Sequence, residues 1–411
     1  MSENVLEKLD PKIVGERLRD ARRACGFTQE EVADRLGYGR TTVVAIEKGE
    51  RRVTPEGLLA FASCYGRSVS GLVKQSPFTE ALAPQFRAAL PNSRLETPFP
   101  EDQLLRVSHE LESRAEDYLD LERICSVALP RDYPQQYPLA PSHISAEQLA
   151  EDVAQEERNR LGLGDAPISD LRALLEEAAG LRIFFYDMPS SVAGIFGYND
   201  RLGGCIGINL KQPWHRGNWS LAHEYGHFLT ARYSADVDVL RGRWGKYRSE
   251  RFADRFAANF LMPRSGLNRR LSEAEKARKN RITIADLVTL ADYFGVSLQA
   301  MCLRVESLKR IRTGSWDRLK SGGFKPDKAR ETLGLLRPER KHAAWPVRYL
   351  LLAKAAFEKG ELSESQLAKK LHTDILSARE MMEELDSVVV AGEGEGFEVI
   401  RVDLASPVPA A

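Results

Sequence analysis

The chain has 411 residues, 43% hydrophobic and 29% charged, with 59 basic and 59 acidic side chains. That length has room for about three domains at roughly 150 residues each, and the composition is that of a globular chain, which excludes disorder as the default. A net charge of zero excludes a global field that would draw nucleic acid, so such binding needs a local basic surface.

The opening MSENVLEKLD is charged and has no apolar signal region, and no run approaches the ~18 apolar residues of a membrane span. A cytoplasmic protein with no membrane partner is expected. Cys25, Cys64, Cys125, Cys205 and Cys302 are scattered and form no CxxC, which fits reduced thiols and argues against a disulfide framework or a cysteine zinc site.

Residues 1–75 read as one small all-α domain. KIVGERLRDARRACG stops at Gly26, TQEEVADRLG is capped by Thr28 and stops at Gly37, and GRTTVVAIEKG stops at Gly49. TPEGLLAFASCYG then starts on a Thr-Pro pair and stops at Gly66, and VSGLVK closes the unit. From Phe27 to Gly66 the sequence resembles the XRE (Cro/repressor-like) helix-turn-helix family. Ala33 is small where two helices must cross, while Val43 and Ile46 face inward. Arg40, Thr41, Val44 and Ala45 then form the outward face of a recognition helix. Arg40 suits a bidentate contact to guanine, and Thr41 and Ala45 suit a thymine edge. Gln29 and the amide groups at the start of the preceding helix resemble the family's phosphate clamp, and Lys48, Arg51 and Arg52 add charge. The resemblance implies a double-stranded DNA operator as partner and a homodimer on two half-sites. The near balance of acids and bases here leaves a helical protein-binding module as the alternative.

Residues 76–144 form a linker. Pro77, Pro84, Pro91, Pro98 and Pro100 deny it a long helix at first. A helix, DQLLRVSHELESRAEDYLDLERICSVAL, follows, and a second proline-rich break runs from Pro130 to Pro141.

Residues 145–308 read as helices, then strands, then helices, an α+β order. AEQLAEDVAQEERNRLG and ISDLRALLEEAAG precede two strand candidates, LRIFFYDM and GGCIGINL. LAHEYGHFLT follows. His223 and His227 stand at i and i+4, one face of a helix, and can reach one cation. Glu224, one residue on, suits a carboxylate that reaches a water without ligating the metal. In ERFADRFAANFLM, Glu250 and Asp254 repeat the i, i+4 spacing on a helix pinned by Phe252, Phe256, Phe260 and Leu261. Glu250 offers a third ligand, completing a set with an open fourth position, as in catalytic zinc. Asp254 suits the free N–H of a ligating histidine. Asp236 and Asp238 are rival third ligands that lack an apolar helical face to position them. The plainer reading makes the histidines core residues and pairs Glu250 and Asp254 with Arg248, Arg251 or Arg255.

NWSLAHEYGHFL, ERFADRFAANFLMP and FGVSLQAMCLRV, in that order, resemble the ImmA/IrrE metallopeptidases over residues 145–308. The resemblance implies a gluzincin-type fold and peptidase holding Zn2+, or Mn2+, by His223, His227 and Glu250, with Glu224 as general base and Asp254 behind the ligands. It also implies that GGCIGINL is an edge strand on which an extended substrate lies, through Gly204, Cys205, Ile206 and Gly207. Phe252 stands where many relatives carry a second glutamate, which leaves Glu250 as the ligand. Residues 309–411 contain two plausible helices, VRYLLLAKAAFEKG and SESQLAKKLHTDILSAREMMEEL, and a β-rich run, SVVVAGEGEGFEVI, winged-helix-like in outline or a sensor domain. The whole reads as a DNA-binding stress or defence regulator whose peptidase domain cleaves a repressor, itself or a partner. The alternative is a repressor whose peptidase-like domain is a silent sensor or scaffold.

Overall fold

The computed structural model describes residues 11–24, 27–65, 101–130, 133–137, 144–232, 236–239, 248–278, 281–335 and 342–393, with Val69 and Leu139. The chain divides into two compact units, Met1–Leu119 with Ala128–Pro346, and Asp120–Val127 with Val347–Ala411. No helix of the described residues is long and apolar enough to cross a membrane. The closing helix expected at VSGLVK and the connection RGRWGKY lie almost wholly outside the described residues.

Four helices open the first unit: α1 Pro11–Ala24, α2 Gln29–Leu36, α3 Arg40–Glu47 and α4 Pro55–Tyr65. Their core is Leu18, Ala21, Val32, Ala33, Val43 and Leu58 with neighbours. The start of α2 is fixed by a capping box, in which the Thr28 hydroxyl accepts from Glu31 N and Glu31 accepts from Thr28 N. Gly37 ends it in the left-handed conformation. Beneath the turn, Arg22 donates to both oxygens of Glu47 at 2.5 and 2.9 Å, and Gln29 Nε2 donates to Glu47 Oε2 at 2.9 Å. The hydrogen bond to Glu47 holds the Arg22 guanidinium above its usual pKa. Glu47 is 2% exposed, so removing it strands a buried cation. Glu47→Ala is expected to cost about 3–5 kcal/mol, read as an early melt of the helix-turn-helix by its own spectroscopic signal. A melt unchanged from wild type would show the pair to be idle.

A 25-residue helix, α5 Glu101–Cys125, leads to α6 Ala146–Arg160 and α7 Leu171–Ala179. The sheet comprises β1 Arg182–Tyr186, β2 Val192–Asn199, β3 Gly203–Asn209 and β4 Asp236–Val239, in the order β1-β3-β2-β4. β1 and β3 are parallel, and the other two pairings are antiparallel, with an irregularity in β2 between Val192 and Gly194. α8 Trp214–Ala231 follows β3, and α9 Arg248–Leu261, α10 Arg264–Ala277, α11 Ile284–Phe294 and α12 Leu298–Ser307 follow the sheet.

The edge-strand expectation for GGCIGINL is overturned. β3 lies inside the sheet with all seven residues buried. Gly204 pairs with Tyr198, and Cys205, Ile206 and Gly207 are paired on both sides, with Arg182, Ile183 and Phe184 of β1 and Gly197, Phe196 and Ile195 of β2. Its glycines make room for side chains of the same domain. A Cβ on Gly204 would lie 2.5 Å from Leu181 Cδ2, and one on Gly207 2.7 Å from the Tyr186 hydroxyl. Among the described residues, the edges are β1 and β4.

Buried polar anchors hold α6, α8 and α9 in one layer. Tyr225 donates to Glu157 at 2.6 Å, and burial raises the Tyr225 pKa well above its usual value. Arg158, wholly buried, donates to the carbonyls of Gly164, Phe260 and Ala166, tying α6 to the end of α9. Desolvation lowers its pKa to about 10.

α13 Ser315–Ser321 and α14 Pro326–Thr332 complete the first unit. The second unit holds α15 Val347–Glu358, α16 Glu364–Lys370 and α17 Ile375–Glu393. α17 continues through Ser387–Glu393, so the front half of the β-rich run is helical. Its Asp374 cap accepts from Ser377 N at 3.0 Å and nucleates a helix that a few β-branched residues, costing tenths of a kcal/mol each, do not stop. The remainder of that run lies outside the described residues, so no wing is described. α16, turn and α17 repeat α2, turn and α3 position for position. Capping boxes stand at Thr28/Glu31 and Ser363/Gln366, Val32-Ala33 and Leu367-Ala368 are buried, and left-handed residues Gly37 and His372 lead to caps Gly39 and Asp374.

Candidate metal centre and nucleic-acid interface

α8 carries His223, Glu224 and His227, and all three are almost wholly buried, at 1%, 0% and 2% exposure. α9 amphipathicity sets the opposing side. Phe252, Phe256 and Phe260 stack in sequence with centroids 6.0 and 5.2 Å apart and are fully buried. Each contributes about 1.5–3 kcal/mol by leaving water, and together they turn Glu250 and Asp254 toward α8. Gly226, inside the HEYGH run, permits the crossing. A Cβ there would lie 3.2 Å from Ala253 Cα and 3.3 Å from Phe256 Cδ1.

The convergent atoms are close. His223 Nε2 and His227 Nε2 are 3.0 Å apart, and Glu250 places Oε2 at 3.5 Å from the first and Oε1 at 3.6 Å from the second. One ligand atom from each of the three residues falls within 4.8 Å of the others. Tetrahedral coordination with bonds of ~2.1 Å has edges of roughly 3.4 Å, so two imidazoles and a carboxylate at this spacing fit zinc, and harder manganese less closely. Asp254 Oδ1 is 3.1 Å from His223 Nδ1, the contact that fixes a ligating histidine's tautomer and leaves Nε2 for a metal. Of the rival partners for the acids, Arg251 lies 3.8 Å from Glu147 and Arg248 donates to the Ile144 carbonyl. Asp236 and Asp238 lie on β4, of which only the backbone is described.

Glu224 is pressed against the sheet. A Cβ on Gly194 of β2 would sit 2.9 Å from Glu224 Oε1 and 3.2 Å from its Cγ, so a glycine is needed where the strand passes the carboxylate. Neither β2 nor Gly194 is singled out by the sequence reading, although the apolar run Val192–Phe196 carries a strand signal. Cys205, Ile206 and Gly207 do not join this site as an open edge, being paired on both flanks, and Gly204 is paired with Tyr198.

In the helix-turn-helix, Arg40 and Thr41 are exposed at the start of α3, Val44 and Ala45 are half-buried, and Lys48 and Arg51 are exposed beyond its end. Arg40 comes within 3.9 Å of Glu30, with both side chains about two thirds exposed, a contact that solvent screens. Lys48 is 4.0 Å from Glu50. Gln29 Nε2 donates one hydrogen to buried Glu47 and keeps a second.

Residues 13–72 match the helix-turn-helix domain family, and residues 176–306 match the IrrE N-terminal-like domain family. An uncharacterized HTH-type transcriptional regulator of Methanothermobacter thermautotrophicus is 46% identical over 43 residues, 10% of this chain. The chain spans 59% of that relative's length. The crystal structure of ComR from Streptococcus suis aligns over 94% of this chain and 96% of its own, at 13% identity and a TM-score of 0.16. By the two family matches, this chain joins a helix-turn-helix domain to an IrrE N-terminal-like domain of the M78 peptidase type.

Proposed function

We propose that the chain is a DNA-binding transcriptional regulator whose IrrE-like domain is a zinc-dependent endopeptidase that cleaves a repressor, in cis or in trans, in a stress or defence response. The convergence of His223, His227 and Glu250 on one point, with Glu224 beside them, carries this reading. A bound metal would supply a Lewis acid that polarises a carbonyl and makes water acidic. The chain's own groups do the rest. Glu224 takes a proton from the attacking water and returns it to the leaving nitrogen, and Asp254 holds the His223 ring in place. A silent sensor has no need of a base as deeply buried as Glu224.

The helix-turn-helix supports operator binding by a homodimer on two half-sites about one helical turn apart. Arg40→Ala is expected to cost about 1–3 kcal/mol at the preferred site and relax base choice at one position. Lys48→Ala should weaken binding to every sequence alike and lower the salt slope by roughly one unit. Footprinting and salt-titrated binding measure both. Equal affinity for operator and random duplex in the wild type would sink the regulator reading.

A further inference from the structure

Beyond residue 306, where the IrrE-like match ends, the stretch from Lys309 to Leu335 carries eight Lys and Arg against three Asp and Glu, in a chain whose charges balance overall. It is a strap laid on the domain. Ile311, Trp316, Leu319, Phe324, Ala329 and Leu335 pack inward against the main core. Its ends and its turn are pinned. Glu306 accepts from Gly314 N and Trp316 N at 3.0 and 3.1 Å, Arg310 pairs with Glu275 at 2.6 Å, and Arg330 pairs with Asp292 at 3.1 Å.

The pinning cations Arg310 and Arg330 are engaged by acids of the fold, Arg318 donates to the Thr313 carbonyl and the Ser315 hydroxyl, and the others face out. Lys309, Arg312, Lys320, Lys325 and Lys328 are exposed, and among the described residues none of their side chains has an ion pair or hydrogen bond. Asp317, Asp327 and Glu331 are also exposed and reduce the excess without cancelling it. Unpaired cations held on a rigid, apolar-backed scaffold keep their attraction for a polyanion and lose little side-chain order on binding one.

We propose that the outward face of the strap, from Lys309 through α13 and α14, is a second nucleic-acid surface, one that grips the phosphate backbone of double-stranded DNA without reading its sequence. This rests on the proposal that the chain binds DNA. The helix-turn-helix would supply base contacts, and the strap would supply sequence-independent affinity through counterion release.

The test uses the full chain and a random 30-base-pair duplex, with affinity measured by fluorescence anisotropy across a salt series. Lys320→Gln/Lys325→Gln/Lys328→Gln is expected to weaken binding about tenfold at moderate salt and to lower the slope of log K against log salt by up to about 2.7, roughly 0.9 for each phosphate that is no longer neutralised. Lys309→Gln/Arg312→Gln should lower the slope by up to about 1.8 on the same basis. All five side chains are exposed, so the melting temperature should hold, and it is checked for each variant. Wild-type slope and affinity in both variants would overturn the strap while leaving the helix-turn-helix intact. Failure of the wild type to bind any duplex would overturn DNA binding as a whole. Phosphatidylserine vesicles are run in parallel, and loss of vesicle binding with unchanged duplex binding would overturn the proposal in favour of a lipid surface.

Discussion

His223→Ala should strip the chain of its metal. The wild type is expected to purify with, or take up, one zinc per chain, and the variant to lose at least about 100-fold in affinity, because losing a ligand exceeds the 10–100-fold typical of losing a partner behind one. His223 is both a proposed ligand and the group that Asp254 contacts, so the change removes a ligand atom and leaves Asp254 without its imidazole. Asp254→Asn, which keeps the ligand but weakens its orientation, should fall between the two. Elemental analysis gives the stoichiometry, and thermal melts give a second reading. Zinc at about 100 times its Kd should stabilise the wild type by about 2.7 kcal/mol and leave His223→Ala unmoved. Equal metal in both proteins would end the metal-centre proposal.

Glu224→Gln should separate metal binding from cleavage. Glutamine has nearly the same shape, so it fits the space that Gly194 leaves against the strand, and the three ligands are untouched. The amide cannot accept and return a proton, and losing a general base costs about 10²–10⁴-fold. The expected result is full metal content with repressor processing reduced by that factor. The measurement is the shortening, over time and with zinc, of this chain and of a candidate repressor incubated with it. Processing at the wild-type rate would rule out Glu224 as the base. Full metal content with no cleavage by either protein would instead favour a sensor role for the domain.

Much of the chain was legible one residue at a time. The helix ends around the turn of the first domain followed from Thr28, Gly37 and Gly49 acting as starts and stops, because capping and left-handed termination are local. The pairs His223/His227 and Glu250/Asp254 were likewise readable, since i and i+4 share a helix face whatever lies around them. The relation between those pairs was less accessible, because it depends on a crossing made close by Gly226 and Ala253 and fixed by three stacked phenylalanines.

Where the reading failed, a distant partner made the decision. Gly204 and Gly207 resembled the close-approach glycines of an edge strand, but what approaches them is Leu181, Phe228 and Tyr186, and strand order is a property of pairing that no stretch of sequence states alone. The run at Ser387 had strand-forming residues, and a helix already nucleated at Asp374 carried through it. The sequence by itself determined the helix ends, the spacing of ligands and the outward face of α3, all set within a few residues. Tertiary structure alone decided the place of β3 in the sheet, the strand held against Glu224, and which arginines and lysines of the strap are bound inward and which are left to solvent. Those outcomes come from the packing and pairing of residues far apart in the chain.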